Sequence, residues 1–340
     1  MRKRKFGVLF LAGLLITAWV LHAVGFEDVV RQVLKLDARY FLLFLAIQLA
    51  MLFLWALKWW VILRHHKIPF SRILPVTFFG YLMNNLTPMS TAGGEPFRAY
   101  LLSKTEKIST EDSAASVVID LFLELFPLII MIAIAIFITL TYDVQYLLAG
   151  LLAVSGLVTI ILLFFLVMLI INDKVSSALV VHTIRFMELI PVPYLRNHAK
   201  DAKTRIDKIM HNFKKTMRTA IKDNKTVYIG LLLASLIWAL AILRMYLILH
   251  MLGLEIPLST LIVARVGVVV LTFLSIIPGG LGIWEGGSTW LFNTFGIPAP
   301  IAMAATLIDR LFSFWIGSLI GLAATFYIGA AQILKKYFQD

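Results

Sequence analysis

Apolar runs of about twenty residues recur along this chain and limit its fold more than any other feature. Phe6 to Val24, Tyr40 to Leu63, Ser113 to Thr141, Leu147 to Ile171, Thr226 to Met251 and Ile301 to Ala330 are each long enough to cross a bilayer core, which takes roughly 20 residues of helix. Lipid offers backbone groups no hydrogen-bond partners, so only helices and closed barrels can span it. A barrel would be written as short alternating segments, and the sequence has none. Hydrophobic residues make up 60% of the 340 positions, against roughly 45–50% in soluble domains. The expectation is an all-α, polytopic helical membrane protein in the cell membrane.

Charge sets the expected topology. The formal net charge is +12, and the positive residues gather at the ends of apolar runs, which points to lipid headgroups and orientation rather than nucleic acid. Arg2 to Lys5, Arg64 to Lys67 and Lys335-Lys336 would lie in the cytoplasm, so both termini are cytoplasmic. The first run reads as a retained helix, because no clean cleavage site follows it. Residues 172–225 carry twelve Lys/Arg against five Asp/Glu and read as a cytoplasmic loop. Within it, Ile206, Ile209, Met210, Phe213 and Met217 form one stripe of a basic amphipathic helix on the inner leaflet. The chain has no Cys, which excludes disulfides and thiol chemistry. His65 and His66 would point about 100° apart on a helix with no carboxylate partner nearby, so no metal site is expected.

Two apolar stretches stop short. Ile68 to Leu86 ends in Asn84-Asn85 and runs into T-P-M-S-T-A-G-G-E-P-F-R-A-Y-L-L (87–102), with Pro88, Gly93, Gly94, Glu95, Pro96 and Arg98. Thr260 to Ile277 runs into P-G-G-L-G-I-W-E-G-G (278–287), with Pro278, Gly279, Gly280, Gly282 and Glu285. Both read as re-entrant hairpins, whose irregular backbone must be buried in protein or line a wet cavity. The surroundings match in order: Trp55-Ala56-Leu57 with Trp238-Ala239-Leu240, Ile68-Pro69 with Ile256-Pro257, Glu95 with Glu285, and Ile119-Asp120 with Ile308-Asp309. The charge rule brings the first hairpin in from the cytoplasm and the second from outside. The chain is therefore a single transmembrane domain of six full-span helices and two re-entrant hairpins. Repeat 1 covers about 40–141 and repeat 2 about 226–330, with inverted topology. Such interrupted segments at matching positions mark the midplane site of a transporter.

The expected membrane segments contain five bases, Lys58, Arg98, Arg244, Arg265 and Arg310, and five acids, Glu95, Asp120, Glu124, Glu285 and Asp309. Ten lone charges would cost on the order of 25–35 kcal/mol, more than a typical fold's whole stability, so they must pair or face water. Asp120 and Glu124 share one helix face and call for a base, with Arg98 or Arg310 in reach; a proton-carrying acid is the alternative. Two roles stay open for the set: structural ion pairs, or a polar groove for a charged headgroup. The glycines fit close packing or half-helix ends whose free N–H groups attract anions.

The two glycine-rich stretches closely resemble the signature segments of the lysylphosphatidylglycerol synthase transmembrane-region family, flippase-like membrane proteins of bacteria and archaea. The resemblance covers nearly the whole chain. It implies a lipid-handling domain that moves a lipid made by a separate enzyme, such as an aminoacylated phosphatidylglycerol or a polyprenyl-phosphate lipid. By position, Glu95, Pro96 and Arg98 fall on the first motif, and Pro278, Gly279, Gly280, Gly282 and Glu285 on the second. The family often has an acid–Arg pair early in the next helix. Asp309-Arg310 keeps it, whereas Asp120 is followed by Leu121, so the two halves are not expected to work identically.

The expected function is movement of an anionic or headgroup-modified lipid between leaflets, with Arg98, Arg265 and Arg310 receiving phosphate. The acids Glu95, Asp120, Glu124, Glu285 and Asp309 would balance these arginines and meet any cationic headgroup. With no Walker motif, movement would be downhill or ion-coupled. No cofactor and no catalytic residue are expected. The partners are membrane lipids and a lipid-modifying enzyme acting upstream. An intramembrane transferase on a lipid-linked sugar or amino acid, and a non-transporting partner subunit, are the alternatives.

Overall fold

A computed structural model of the chain describes residues 2–87, 93–106, 108–141, 214–219, 222–273 and 275–338, together with scattered positions between 150 and 172. Among these residues the protein is all helix. The elements are α1 (Arg2–Val24), α2 (Phe26–Val33), α3 (Ala38–Ile62), α4 (Phe70–Leu86), α5 (Glu95–Thr105), α6 (Thr110–Thr141), α7 (Asn224–Met251), α8 (Leu258–Phe273), α9 (Ile283–Thr294), α10 (Ala299–Arg310) and α11 (Gly317–Phe338).

Five helical stretches among the described residues are long and apolar enough to cross a membrane: Gly7–Val24, Ala38–Ile62, Thr110–Thr141, Asn224–Met251 and Ala299–Gly329. The sixth expected span, 147–171, lies largely outside the described residues, as do Pro88 and most of the 172–225 loop. Residues 214–219 of that loop are helical. Met217, expected on a stripe facing the leaflet, is instead fully buried, in a cluster with Ile68, Leu102 and Ile108. Thr216 Oγ1 donates to Asp112 at 2.5 Å.

Local chemistry fixes the ends of these helices. Asp37 caps α3 by accepting from the Arg39 and Tyr40 amides at 2.8 and 3.0 Å, a bond type that satisfies otherwise orphaned helix donors. α10 and α11 are joined by a π-helical turn, Leu311–Ile316, of the kind often found at functional sites. Two side chains of α4 bond its carbonyls: Tyr81 Oη donates to Ser313 O at 2.7 Å, and Asn85 Nδ2 to Phe314 O at 3.4 Å.

The buried apolar side chains of the described residues form two large cores and a small third of Ile277, Leu281 and Phe314. Of the large cores, one gathers Trp59, Ile73, Leu102, Ala115 and Leu123, from α3, α4, α5 and α6. The other gathers Leu261, Val266, Leu291, Ala305 and Phe312, from α8, α9, α10 and the π turn, with Phe44 of α3 and Met131 of α6. α3 and α6 run through both and tie them together. α4 packs on α5, and α8 on α9. The two breaks between these short helices touch: the Gly279 amide donates to Thr87 O at 3.4 Å.

At one end of the bundle Asp223 closes a polar cluster. It accepts from Thr226 Oγ1 at 2.6 Å, pairs with Arg64, and faces His65 at 3.3 Å. The Thr226 hydroxyl first, and then His65 and Arg64, hold its carboxyl below the usual range. A carboxylate depressed in the folded state stabilises above its unfolded pKa, and that stability is lost as pH falls through its folded value. Acid denaturation of an Asp223→Asn variant in detergent, followed by tryptophan fluorescence, should therefore show a shallower loss of stability below about pH 4 than the parent.

Candidate functional site

The glycine breaks determine how closely the short helices approach. A Cβ on Gly94 would collide with the Gly80 carbonyl and lie 2.6 Å from the Asn84 amide nitrogen. Only glycine lets α5 start against α4, and that contact places Glu95 and Arg98 in the core. Gly279 has φ of 61°, and a Cβ there would strike the Phe314 ring and come within 2.7 Å of Asn85 O. Side chains are excluded on both counts.

The first cluster forms around Asp120 of α6. Arg98 NH2 lies 2.7 Å from Asp120 Oδ2 and also pairs with Glu95. Lys58 Nζ lies 3.1 Å from Asp120 Oδ1 and 2.5 Å from Glu124 Oε1. The Arg98 guanidinium stacks over Trp55 and Trp59, 4.8 and 4.4 Å from the ring centroids. Lys58, Arg98 and Asp120 are almost wholly buried, whereas the Glu124 side chain keeps 32% of its surface exposed. The Gly94 amide donates to Asn84 Oδ1 at 2.6 Å, and Asn84 Nδ2 donates to Glu95 at 3.4 Å.

The second cluster is built from different donors. Arg310 Nε donates to Glu285 Oε1 at 2.7 Å, and Arg310 NH2 to Gly279 O at 2.9 Å. Arg244 of α7 reaches Asp309 with Nε at 2.8 Å and NH2 at 2.7 Å, and also bonds Gln48 of α3. Arg310 lies over the Phe314 ring at 4.4 Å.

All five expected acids are thus paired with four of the five bases. Arg265 is the exception. Among the described residues it has no carboxylate within ion-pair distance, and its Nε is buried without a hydrogen-bond partner. Its guanidinium sits 5.9 Å from the Trp238 ring and 5.1 Å from Trp284. It lines a cavity of about 200 Å³ between the two clusters, shared with Trp55, Asn84, Glu124, Trp284 and Arg310. Apolar walls come from Met51, Leu52 and Ile237.

The N-cap amides of the two short helices are taken by the protein's own side chains. The Gly282 amide at the start of α9 donates to Glu285 Oε2 at 2.6 Å, and the Gly94 amide goes to Asn84. The protein's own side chains occupy these anion-favouring positions. Arg98 and Arg310, expected to receive phosphate, are engaged with carboxylates. Pro278, Gly280 and Asn85 are buried at the meeting of the breaks, Gly93 is partly buried, and Pro96 is exposed on α5. Asn85 Nδ2 also donates to Ser318 Oγ at 2.9 Å.

The departure at Leu121 now has a physical account. In each glycine-rich segment the acid beside the break needs a base. Glu285 takes it from Arg310, the residue after Asp309 on the next helix. Glu95 takes it from Arg98, one turn along its own helix, so the position after Asp120 is free to be leucine. Gln48, Tyr81 and Trp284 were not singled out from the sequence. A polar amide among the apolar residues of α3 was the available signal for Gln48.

Residues 6–321 match the model of the lysylphosphatidylglycerol synthase TM region. The chain belongs to that family. Similar proteins extend over almost its full length. A UPF0104 membrane protein of Methanothermobacter thermautotrophicus is 31% identical over 335 residues, covering 97% of each chain. One from Pyrococcus horikoshii is 26% identical over 92% of this chain and 94% of its own. One from Methanocaldococcus jannaschii is 26% identical over 97% and 96%. No solved structure matches the chain. The family membership and the five apolar spans together make this an integral, multi-pass membrane protein.

Proposed function

We propose that this family member is a flippase-like lipid translocase of the cell membrane, with both termini in the cytoplasm. α4–α5 and α8–α9 act as re-entrant hairpins of an inverted repeat. The short helices support this: α5 has 11 residues and α9 has 12, about 17–18 Å at 1.5 Å per residue, against a hydrocarbon core of about 30 Å. The contact between the two breaks is what hairpins entering from opposite faces and meeting near the midplane would make.

Arg265 carries the functional reading. An arginine inside a membrane protein that pairs with no acid and lines a cavity is set to take an anion from outside the chain. A lipid phosphate is the anion available at that depth. The remaining charges hold the hairpins in place around it. Supplied by a lipid-modifying enzyme upstream, the substrate would move downhill or with a coupled ion.

Purified protein in liposomes should accelerate exchange of fluorescent phospholipid between leaflets, read by dithionite quenching. Arg265→Gln should lower that rate about ten- to a hundredfold, the worth of a charge-assisted hydrogen bond. Failure to move any headgroup class would sink the proposal.

A further inference from the structure

The cavity is charged in two senses. The first cluster sets two bases, Lys58 and Arg98, against three acids, Glu95, Asp120 and Glu124. With every group ionised its formal charge is one negative, and Glu124, whose Oε1 is held by Lys58, is the member with exposed surface in the cavity. The second cluster sets Arg244, Arg310 and Arg265 against Glu285 and Asp309. It carries one positive charge in excess, and Arg265 is the base left over. The two clusters reach the same cavity, the first through Glu124 and the second through Arg265 and Arg310.

Resting on the translocase reading, we infer that the site takes a net-neutral headgroup bearing one phosphate and one ammonium, with the phosphate on Arg265 and the ammonium at Glu124. A purely anionic headgroup would satisfy Arg265 but leave Glu124 as a like charge lining the same cavity. A headgroup with two ammonium groups would bring a positive charge more than the walls can balance. Buried charge left without a partner is what such a site selects against. At about 200 Å³ the cavity is smaller than the roughly 300–1,000 Å³ of drug-sized sites, so it holds a headgroup and not the chains.

The test is binding in detergent, measured by calorimetry with dihexanoyl lipids that differ only in headgroup: phosphoethanolamine, phosphoglycerol and lysyl-phosphoglycerol. Phosphoethanolamine should bind about tenfold tighter than either. Glu124→Gln should abolish the preference over phosphoglycerol while Glu124→Asp keeps it, and Arg265→Gln should weaken both lipids. Each variant's melting transition is recorded, and Glu124→Asp guards against a folding defect at that position. Equal or tighter binding of phosphoglycerol or lysyl-phosphoglycerol overturns the inference, as does a Glu124→Gln variant with unchanged preference. Chainless glycerophosphoethanolamine binding as tightly as the lipid would make the ligand a soluble phosphate ester, and overturns it too. Because binding is read apart from leaflet exchange, a preference without exchange removes the translocase alone. Exchange without preference removes only the two-charge site.

Discussion

Asp120→Ala should destabilise the protein by about 3–5 kcal/mol, the usual cost of removing one partner from a buried ion pair. The reason is the number of groups that meet at one carboxylate. Asp120 lies between Lys58 and Arg98, and both cations are fully buried. Without it, Lys58 keeps Glu124 and Arg98 keeps Glu95, yet two bases then share two acids across a gap where the central charge stood. Denaturation in detergent, followed through Trp55 and Trp59 beside Arg98, should report the loss directly. A change below about 1 kcal/mol, the scale of an exposed pair, would mean that the cluster is hydrated and not a structural core.

Arg310→Met should cost a similar amount, about 3–5 kcal/mol. It strands the buried Glu285 carboxylate and removes the donor to Gly279 O. The informative comparison is Arg265→Gln. That substitution leaves no acid alone, and it removes an unpaired cation whose own desolvation cost offsets the ring contacts given up, about 0.5–2 kcal/mol each. Thermal unfolding of the two variants side by side should therefore separate them clearly, with Arg265→Gln near the parent. If both lose equal stability, Arg265 belongs to the framework, and its part in lipid movement must be withdrawn.

Much of the architecture was legible because lipid enforces it. An apolar run of the right length has few alternatives to a helix, so the spans at Tyr40 to Leu63 and Thr226 to Met251 needed no tertiary knowledge. The helix breaks were legible for a similar reason, since Pro and paired Gly interrupt an apolar run only for cause. The pairing was not legible. Five bases and five acids admit many matchings, and spacing along the chain says nothing about which helix faces which. Arg98, Arg265 and Arg310 were all expected to receive phosphate. Packing sets Arg98 against Glu95 and Asp120, and Arg310 against Glu285, and this commits those two to carboxylates. Arg265, in an unremarkable apolar stretch, is left over only once the helices are packed. Gln48 shows the same limit from the other side, because its partner Arg244 is 196 residues away.

Chain order gives the ion pairs a history as well as a geometry. Lys58 and Glu124 are 66 residues apart, and Arg244 and Asp309 are 65. In each of these pairs the base is made first. At the usual 5–20 residues per second, synthesis of the intervening chain takes about 3–13 s. Through that interval α3 and α7 must sit in the bilayer with a cation whose acid does not yet exist, at a cost of at least about 2.5–3.5 kcal/mol each. Their long apolar sequences offset it. The finished network is thus also a sequence of arrivals, in which α6 and then α10 neutralise helices already waiting in the membrane.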